Sequence, residues 1–153
     1  MDLLRELKDL VDAFDREQVP YALRGAVALA VHGVPRATRD IDLLVRREDL
    51  ERLGAAARSC GFTLRTAEMT FAASGVSLVR FTKIANQQHL MLDALMAAPP
   101  LDKVWDSREQ LEWDQGAVWV VSRQGLITLK LAAGRPQDLV DVQRLKELDD
   151  AET

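Results

Sequence analysis

Two aspartates interrupt an apolar run in the first third of the chain. Asp40 and Asp42 are separated by one residue, and Ile41, Leu43 and Val45 alternate with them. In a β-strand successive side chains point to opposite faces, so both carboxylates share one face and the apolar side chains share the other. Burying two neighbouring carboxylates without a partner is costly, because each loses its hydration and repels the other. The run therefore predicts a strand with one cation-binding face.

A divalent cation is the usual partner for such a pair of carboxylates. Oxygen ligands on one rigid strand suit Mg²⁺, which also accepts water and phosphate oxygens as ligands. Asp40 and Asp42 are therefore predicted metal ligands.

The residues upstream predict a phosphate-binding turn. The segment 20–24 reads as a strand, and Gly25-Ala26 then opens a short Ala-rich helix over about 26–33. A helix N-terminus offers free backbone N–H groups and a partial positive charge, which together favour phosphate. Gly25 and Ala26 are therefore candidate nucleotide-binding residues. A phosphate-binding turn beside a pair of metal-binding carboxylates is typical of sites for phosphoryl or nucleotidyl transfer.

These motifs resemble a known family. Gly25-Ala26, followed after thirteen residues by Asp40-Ile41-Asp42, is similar to the glycine-plus-small-residue and Asp-x-Asp signature of the nucleotidyltransferase superfamily, which has the DNA polymerase β-like fold. The closest resemblance is to small bacterial members, the AbiEii-type toxins and the minimal and antibiotic-modifying nucleotidyltransferases, and it is best over residues 18–96. Members usually carry Gly-Ser or Gly-Gly, so Ala26 lacks the hydroxyl that a serine would add.

The resemblance implies a third carboxylate on a later strand. Asp93 is the candidate, and the family uses this residue as general base or to complete the metal site. Alternation over 89–96 places Asp93 with His89, Met91 and Leu95, on the face opposite Leu90, Leu92, Ala94 and Met96. The alternative interpretation is an aspartate at a strand end that is hydrogen-bonded to backbone.

Two basic residues are further candidates for contact with the nucleotide. Arg36 lies on the loop before the Asp-x-Asp strand and could reach a phosphate. Lys130 matches the lysine of an AbiEii-like C-terminal pattern, for which the resemblance implies contact with the triphosphate or leaving group. Lys130 could equally form an ion pair with Asp138 or Asp141 that fixes the last two helices together.

The implied activity is transfer of a nucleoside monophosphate from an NTP to an acceptor hydroxyl with Mg²⁺. The acceptor stays open between a protein, a tRNA end and a small-molecule antibiotic, and a role in toxin–antitoxin or antibiotic-modifying chemistry fits the resemblance. One alternative is a degenerate member that binds a nucleotide or a partner protein without turnover. A second alternative is a structural domain in which Asp40 and Asp42 pair with Arg36 and Arg39.

Composition is compatible with this interpretation. A chain of 153 residues suits one domain over 1–153, with a helical C-terminal segment from about 122–150. The net charge of −4 gives no global attraction to nucleic acid, although five arginines near the motifs could form a basic patch: Arg24, Arg36, Arg39, Arg46 and Arg47. The single cysteine excludes an intramolecular disulfide and favours a cytoplasmic location. No apolar run approaches the length of a membrane span, so no membrane association is expected.

Periodicity predicts an α/β (α+β) fold with a nucleotidyltransferase-like mixed β-sheet flanked by helices. Helices are predicted at 2–17, 26–33, 48–59, 101–109 and 124–133, and a last one from Pro136. Strands are predicted at 20–24, 39–46, 62–65, 76–82, 89–96 and 117–121. Residues 66–73 give no clear pattern, and Pro99-Pro100 predicts a break in the chain.

Overall fold

The computed structural model describes residues 1–72, 74–99 and 101–152. Within these ranges the helices are α1 (Leu3–Arg16), α2 (Gly25–Val31), α3 (Leu50–Ser59), α4 (Asp102–Asp106), α5 (Arg123–Ala133) and α6 (Pro136–Glu152). The strands are β1 (Ala22–Arg24), β2 (Asp40–Arg46), β3 (Leu64–Arg65), β4 (Met69–Thr70), β5 (Ser77–Ala85), β6 (Gln88–Ala97), β7 (Glu109–Trp113) and β8 (Gly116–Val120).

The described strands form one mixed eight-stranded sheet. Its order is β3-β5-β6-β2-β1-β8-β7, and β4 also pairs with β5. The pairs β2–β6 and β1–β8 are parallel, whereas the other pairs are antiparallel. The predicted mixed sheet with flanking helices is confirmed, and it brings the Asp-x-Asp strand next to the strand that carries Asp93.

The two faces of the sheet have different roles. Phe81 on β5 lies beneath α3, where a Cβ added to Gly54 would approach its ring within 3.1 Å, and Lys83 reaches Glu6 of α1 at 2.8 Å. α1 and α3 therefore cover this face. The opposite face carries Arg80 and Asp93 and is open to a cleft that α5 also lines.

Local sequence signals account for several element boundaries. Asn86 and Gln87 connect β5 to β6 with φ values of 52° and 64°, the left-handed geometry of a tight two-residue hairpin. Ser122 caps α5 by accepting a hydrogen bond from the Gly125 N–H, and Gly134 ends that helix in the left-handed region. The predicted strands 76–82 and 89–96 and the predicted helix 124–133 agree with β5, β6 and α5 to within three residues at each end.

The segment after the proline pair was predicted incorrectly. A helix was expected over 101–109, but α4 stops at Asp106 and β7 begins at Glu109. β7 pairs antiparallel with β8, with Glu109 opposite Val120 and Trp113 opposite Gly116. The short helical turn supplied the apparent 3.6-residue period, and cross-strand pairing then decided the rest of the segment.

Of the other predicted features, Pro100, residue 73 of the segment 66–73 and Thr153 lie outside the described residues.

None of the helices in the described ranges has the length and apolar character needed to cross a bilayer.

Helix α1 provides a direct test of the core. Leu10 is fully buried and Leu4, on the same helix, is 46% exposed. We expect Leu10→Ala to lower the free energy of unfolding by about 2–5 kcal/mol, because it removes buried methyl groups and leaves a cavity. Leu4→Ala should change it by less than about 0.5 kcal/mol. Urea denaturation of both variants measures the difference, and equal losses would contradict this packing of α1.

Candidate active site

A row of four charged residues crosses the centre of the sheet. The strand register places Arg24 of β1 opposite Asp42 of β2, Asp42 opposite Asp93 of β6, and Asp93 opposite Arg80 of β5. The row therefore reads Arg–Asp–Asp–Arg across four adjacent strands. Two residues that are 51 positions apart in the sequence and were both predicted to belong to the site become direct neighbours.

Asp40 lies one step along β2 from this row. It is opposite Met91 and points to the same face as Asp42, as the alternation predicted. Both carboxylates line the cleft. Within residues 1–72, 74–99 and 101–152, no cationic side chain forms an ion pair with Asp40. The pairing of Asp40 and Asp42 with Arg36 and Arg39, the structural alternative, is not observed in this part of the chain.

Asp42 is held in an unfavourable environment for a charge. Burial raises the pKa of Asp42; Arg24 opposes this effect, whereas Asp93 and Asp40 add to it. The Arg24 guanidinium lies 3.7 Å from the Asp42 carboxylate, and its Nε donates to the Leu43 carbonyl at 3.0 Å. Burial in turn lowers the pKa of Arg24. One arginine therefore compensates Asp42 only in part, and an added cation would stabilise the carboxylate.

Asp93 is engaged more completely than Asp42. Arg80 donates to both of its carboxylate oxygens, from Nε at 2.8 Å and from the terminal NH2 group at 3.1 Å. This bidentate pair raises the pKa of Arg80. Asp93 is buried within β6 rather than at a strand end, and its partner is a side chain rather than the backbone. The alternative interpretation of Asp93, an aspartate at a strand end that is hydrogen-bonded to backbone, therefore does not describe its geometry.

The turn at Gly25 is in close contact with Asp42. Gly25 has a φ of +72°, and a Cβ at this position would lie 2.4 Å from Asp42 Oδ2. Both observations require glycine here. α2 starts at Gly25, and its N-cap residue, Arg24, makes no side-chain capping hydrogen bond. The first backbone turn of α2, with Gly25 and Ala26, therefore lines the cleft directly beside the aspartate pair.

Arg36 and Lys130 also line the cleft, and they share one buried partner on α6, Asp141. Arg36 donates to Asp141 Oδ1 at 2.5 Å, and Lys130 Nζ lies 3.1 Å from Asp141 Oδ2 and 3.4 Å from Asp138 Oδ1. Asp141 is completely buried. The ion pairs considered for Lys130 in the sequence are thus present, and its contact with a nucleotide stays a prediction.

Asp138 stabilises the start of α6. It accepts hydrogen bonds from the backbone N–H of Arg135 at 3.1 Å and from the Arg135 side chain at 2.7 and 3.2 Å. This is half of a capping box, in which an acidic residue in the first turn bonds back to the N-cap backbone. The hydrogen bonds from Arg135 lower the pKa of Asp138 although burial opposes them.

These residues surround one cleft of about 480 Å³. Five cationic and four acidic side chains line it: Arg24, Arg36, Arg80, Lys130, Arg135, Asp40, Asp42, Asp93 and Asp138. The cleft is therefore nearly neutral in formal charge, and most of its cations already have a carboxylate partner. The predicted site residues all lie in this one place, whereas Arg46 and Arg47 pair elsewhere, with Asp49 and Glu68.

The donor set fits a metal that arrives with phosphate better than a metal held by protein alone. Among the described residues, no three His, Cys, Asp or Glu side chains converge closely enough to hold an ion. Asp40 and Asp42 offer carboxylate oxygens on one face, and Mg²⁺ is commonly bound by one or two carboxylates together with substrate phosphates. The chemistry of the site therefore suits Mg²⁺ bound jointly by protein and nucleotide.

Sequence reasoning did not identify Arg80 as a site residue. Its position opposite Asp93 follows from the register of the β5–β6 hairpin, which the two-residue turn at 86–87 fixes. Counting back from that turn along the predicted strands would have paired Arg80 with Asp93. The alternation of Leu78, Arg80 and Thr82 with buried Val79 and Phe81 was the available signal.

The family model for the AbiEii nucleotidyltransferase toxins of Type IV toxin–antitoxin systems matches residues 5–153. The chain belongs to the AbiEii family. It is therefore a nucleotidyltransferase of the AbiEii toxin type. A search of curated proteins finds no match.

Solved structures share the fold at low sequence identity. TM1012 from Thermotoga maritima has been assigned as a nucleotidyltransferase. It is 16% identical to this chain, with a TM-score of 0.66 over 95% of this chain and 92% of its own. ANT(2″)-Ia in complex with adenylyl-2″-tobramycin is 18% identical, with a TM-score of 0.59 over 91% of this chain and 84% of its own. JHP933 from Helicobacter pylori is 17% identical, with a TM-score of 0.59 over 94% of this chain and 64% of its own.

Gly25 provides a test of the contact with Asp42. We expect Gly25→Ala to disrupt the turn, because its Cβ would strike the carboxylate and its φ is unfavourable for alanine. Gly33→Ala is a matched control, since Gly33 also has a positive φ of +98° but no atom within 4 Å of its Cβ. Gly25→Ala should cost more free energy of unfolding than Gly33→Ala, measured by urea denaturation. Equal costs would show that the carboxylate contact is unimportant.

The lowered pKa of Asp138 predicts a pH-dependent contribution to stability. The stabilisation should be present above the pKa of an unfolded aspartate, about 3.9, and should be lost as the pH falls through the lower folded-state pKa. The difference in unfolding free energy between wild type and Asp138→Asn should therefore be constant near neutral pH and shrink below about pH 4. A difference that stays constant throughout acid titration would contradict the assignment.

Proposed function

We propose that this protein transfers a nucleoside monophosphate from an NTP to an acceptor hydroxyl, with Mg²⁺ as the metal. The single observation that carries the proposal is the contact between the Gly25 turn and Asp42, because it joins a candidate phosphate cradle to a candidate metal ligand. Membership of the AbiEii family supports the reaction class. The shared fold with TM1012 and ANT(2″)-Ia is compatible with it.

In this proposal the backbone N–H groups of Gly25 and Ala26 bind the β- and γ-phosphates. The backbone suffices for these contacts, so Ala26 keeps the donor although it lacks a serine hydroxyl. Arg36 and Lys130, which line the same cleft, contact the triphosphate as well. Because Asp141 holds both cations, their positions are set before the substrate arrives.

Asp40 and Asp42 would hold Mg²⁺ together with phosphate oxygens of the nucleotide, and Asp93, the third predicted ligand, would join them only after release from Arg80. The metal would neutralise charge on the phosphates and orient them. The raised pKa of Asp42 is compatible with this role, since a bound cation would offset the burial and the repulsion from neighbouring carboxylates.

Asp93 accepts the proton of the acceptor hydroxyl. The acceptor oxygen then forms a bond to the α-phosphorus, the bond from the α-phosphorus to the bridging oxygen breaks, and pyrophosphate leaves. The position of Asp93 next to Asp42 in the register supports this role, because the base and the metal ligands must meet at one phosphorus.

The acceptor is proposed only as a class, a hydroxyl-bearing molecule. The family match supports action as the toxin of a Type IV toxin–antitoxin system. A protein, a tRNA end and an antibiotic all remain candidates for the acceptor, and recognition of it by a partner protein is compatible with the open cleft.

A nucleotide-binding protein without turnover is the second candidate function. The observation that favours it is the Arg80–Asp93 pair, which occupies both oxygens of the proposed base. A protein that binds NTP with Mg²⁺ but releases no pyrophosphate with any acceptor would fit this candidate.

We expect Asp42→Asn to reduce transfer by more than about a hundredfold, because loss of a direct metal ligand should exceed the effect of losing a supporting one. Transfer is measured as label moved from an α-phosphate-labelled NTP into components of a bacterial extract, which supplies the unknown acceptor.

Asp114→Asn is the matched control, since Asp114 is an exposed residue of the β7–β8 turn and lies outside the cleft. It should retain wild-type transfer. Full transfer by a folded Asp42→Asn protein would rule out the proposed mechanism.

A further inference from the structure

The pair formed by Arg80 and Asp93 is the ion pair of the cleft that involves the proposed base. Asp93 is the proposed base, yet both of its oxygens accept hydrogen bonds from Arg80. Both carboxylate oxygens therefore already have a donor at the place where the acceptor hydroxyl would have to donate. In the proposed reaction, Asp93 must lose at least part of this interaction before it takes a proton.

Arg24 and Lys130, two of the other cations that line the cleft, are more deeply buried than Arg80, whereas Arg135 is 75% exposed but pairs with Asp138 rather than with the proposed base. Arg24 is anchored by the Leu43 carbonyl as well as by Asp42, and Lys130 lies between two buried aspartates with its side chain only 13% exposed. The Arg80 side chain is 38% exposed. It is thus the more accessible of these three cations to an incoming anion.

The backbone of Arg80 is fixed although its side chain is accessible. Its N–H donates to Thr66 Oγ1 at 3.1 Å, and its carbonyl accepts from the Thr66 N–H at 2.9 Å. These two hydrogen bonds fix the strand, so a change of partner by the guanidinium would need no movement of the backbone. A guanidinium presents the same planar fork to a phosphate as to a carboxylate, so the exchange conserves bidentate geometry.

We propose that Arg80 is a phosphate-binding residue of the nucleotidyl transfer, and that it exchanges Asp93 for the triphosphate when the nucleotide binds. This inference rests on the proposed function. The exchange has a mechanistic consequence, because both Asp93 oxygens become open to the acceptor hydroxyl only after the nucleotide has bound Arg80. The acceptor hydroxyl is then not activated in a cleft that holds no nucleotide.

A double-mutant cycle tests the exchange. The probe is inorganic triphosphate at a fixed Mg²⁺ concentration, and calorimetry measures its affinity for wild type, Arg80→Gln, Asp93→Asn and the double variant. We expect Arg80→Gln to weaken binding at least about tenfold, the effect of losing a charge-assisted hydrogen bond. Asp93→Asn should tighten binding in wild type, because it frees Arg80, and should tighten it much less in the Arg80→Gln background.

Two further variants separate the exchange from general effects. Arg80→Lys keeps the charge but loses the fork, so its affinity should fall between those of wild type and Arg80→Gln. Arg47→Gln removes an arginine that forms a similar bidentate pair, with Glu68, outside the cleft. It should bind triphosphate like wild type, and circular dichroism checks the fold of each variant.

The outcomes distinguish this inference from the proposed function. Equal affinity of folded Arg80→Gln and wild type overturns the inference alone, as does equal tightening by Asp93→Asn in both backgrounds. A wild type that binds triphosphate through Arg80 but never releases pyrophosphate from an NTP overturns the proposed turnover alone. A wild type that binds no triphosphate overturns both.

Discussion

The electrostatic compensation of two adjacent carboxylates, Asp42 half-buried and Asp93 buried, is the constraint on which the site depends. Asp42 and Asp93 stand side by side on parallel strands, an arrangement that costs free energy through desolvation and repulsion. Arg24 and Arg80 supply the opposite charges from the two flanking strands. Because side chains alternate along a strand, a shift of one residue in any of these pairings would turn a member of the row to the other face. The chemistry of the site therefore requires this register of the four central strands.

The charge balance also explains how such a cleft can remain stable without substrate and still bind a triphosphate. The cations of the cleft are paired with carboxylates of the protein. The net charge of the cleft therefore attracts an incoming anion only weakly, and the anion must replace existing carboxylate partners. A divalent cation at Asp40 and Asp42 would supply new positive charge, and release of Arg80 from Asp93 would supply more. The buried network of Lys130 with Asp138 and Asp141 serves a different purpose, since it ties α5 to α6 and keeps that wall of the cleft in position.

Local patterns predicted the parts of the site that lie close together in sequence. The alternation of Asp40 and Asp42 and the glycine turn before α2 each depend on a few neighbouring residues, and the structure contains both. The partner of Asp93 and strand β7 were missed because both depend on pairing between strands. Arg80 is recognised only once the register is known, and Glu109–Trp113 becomes a strand only against β8. The resemblance to nucleotidyltransferases added Asp93 and Lys130, which the local pattern alone would not have assigned to this cleft.

Titration of the purified protein with ATP, CTP, GTP and UTP, with and without Mg²⁺, tests the central claim most directly. Calorimetry should show binding of at least one nucleotide that depends on Mg²⁺, and this binding should vanish in the double variant Asp40→Ala/Asp42→Ala while the fold is retained. The double variant is informative because it removes the metal ligands but leaves Gly25, Arg36 and Lys130 in the cleft. Binding that is indifferent to Mg²⁺ and to both aspartates, or no binding of any of the four nucleotides, would contradict the account.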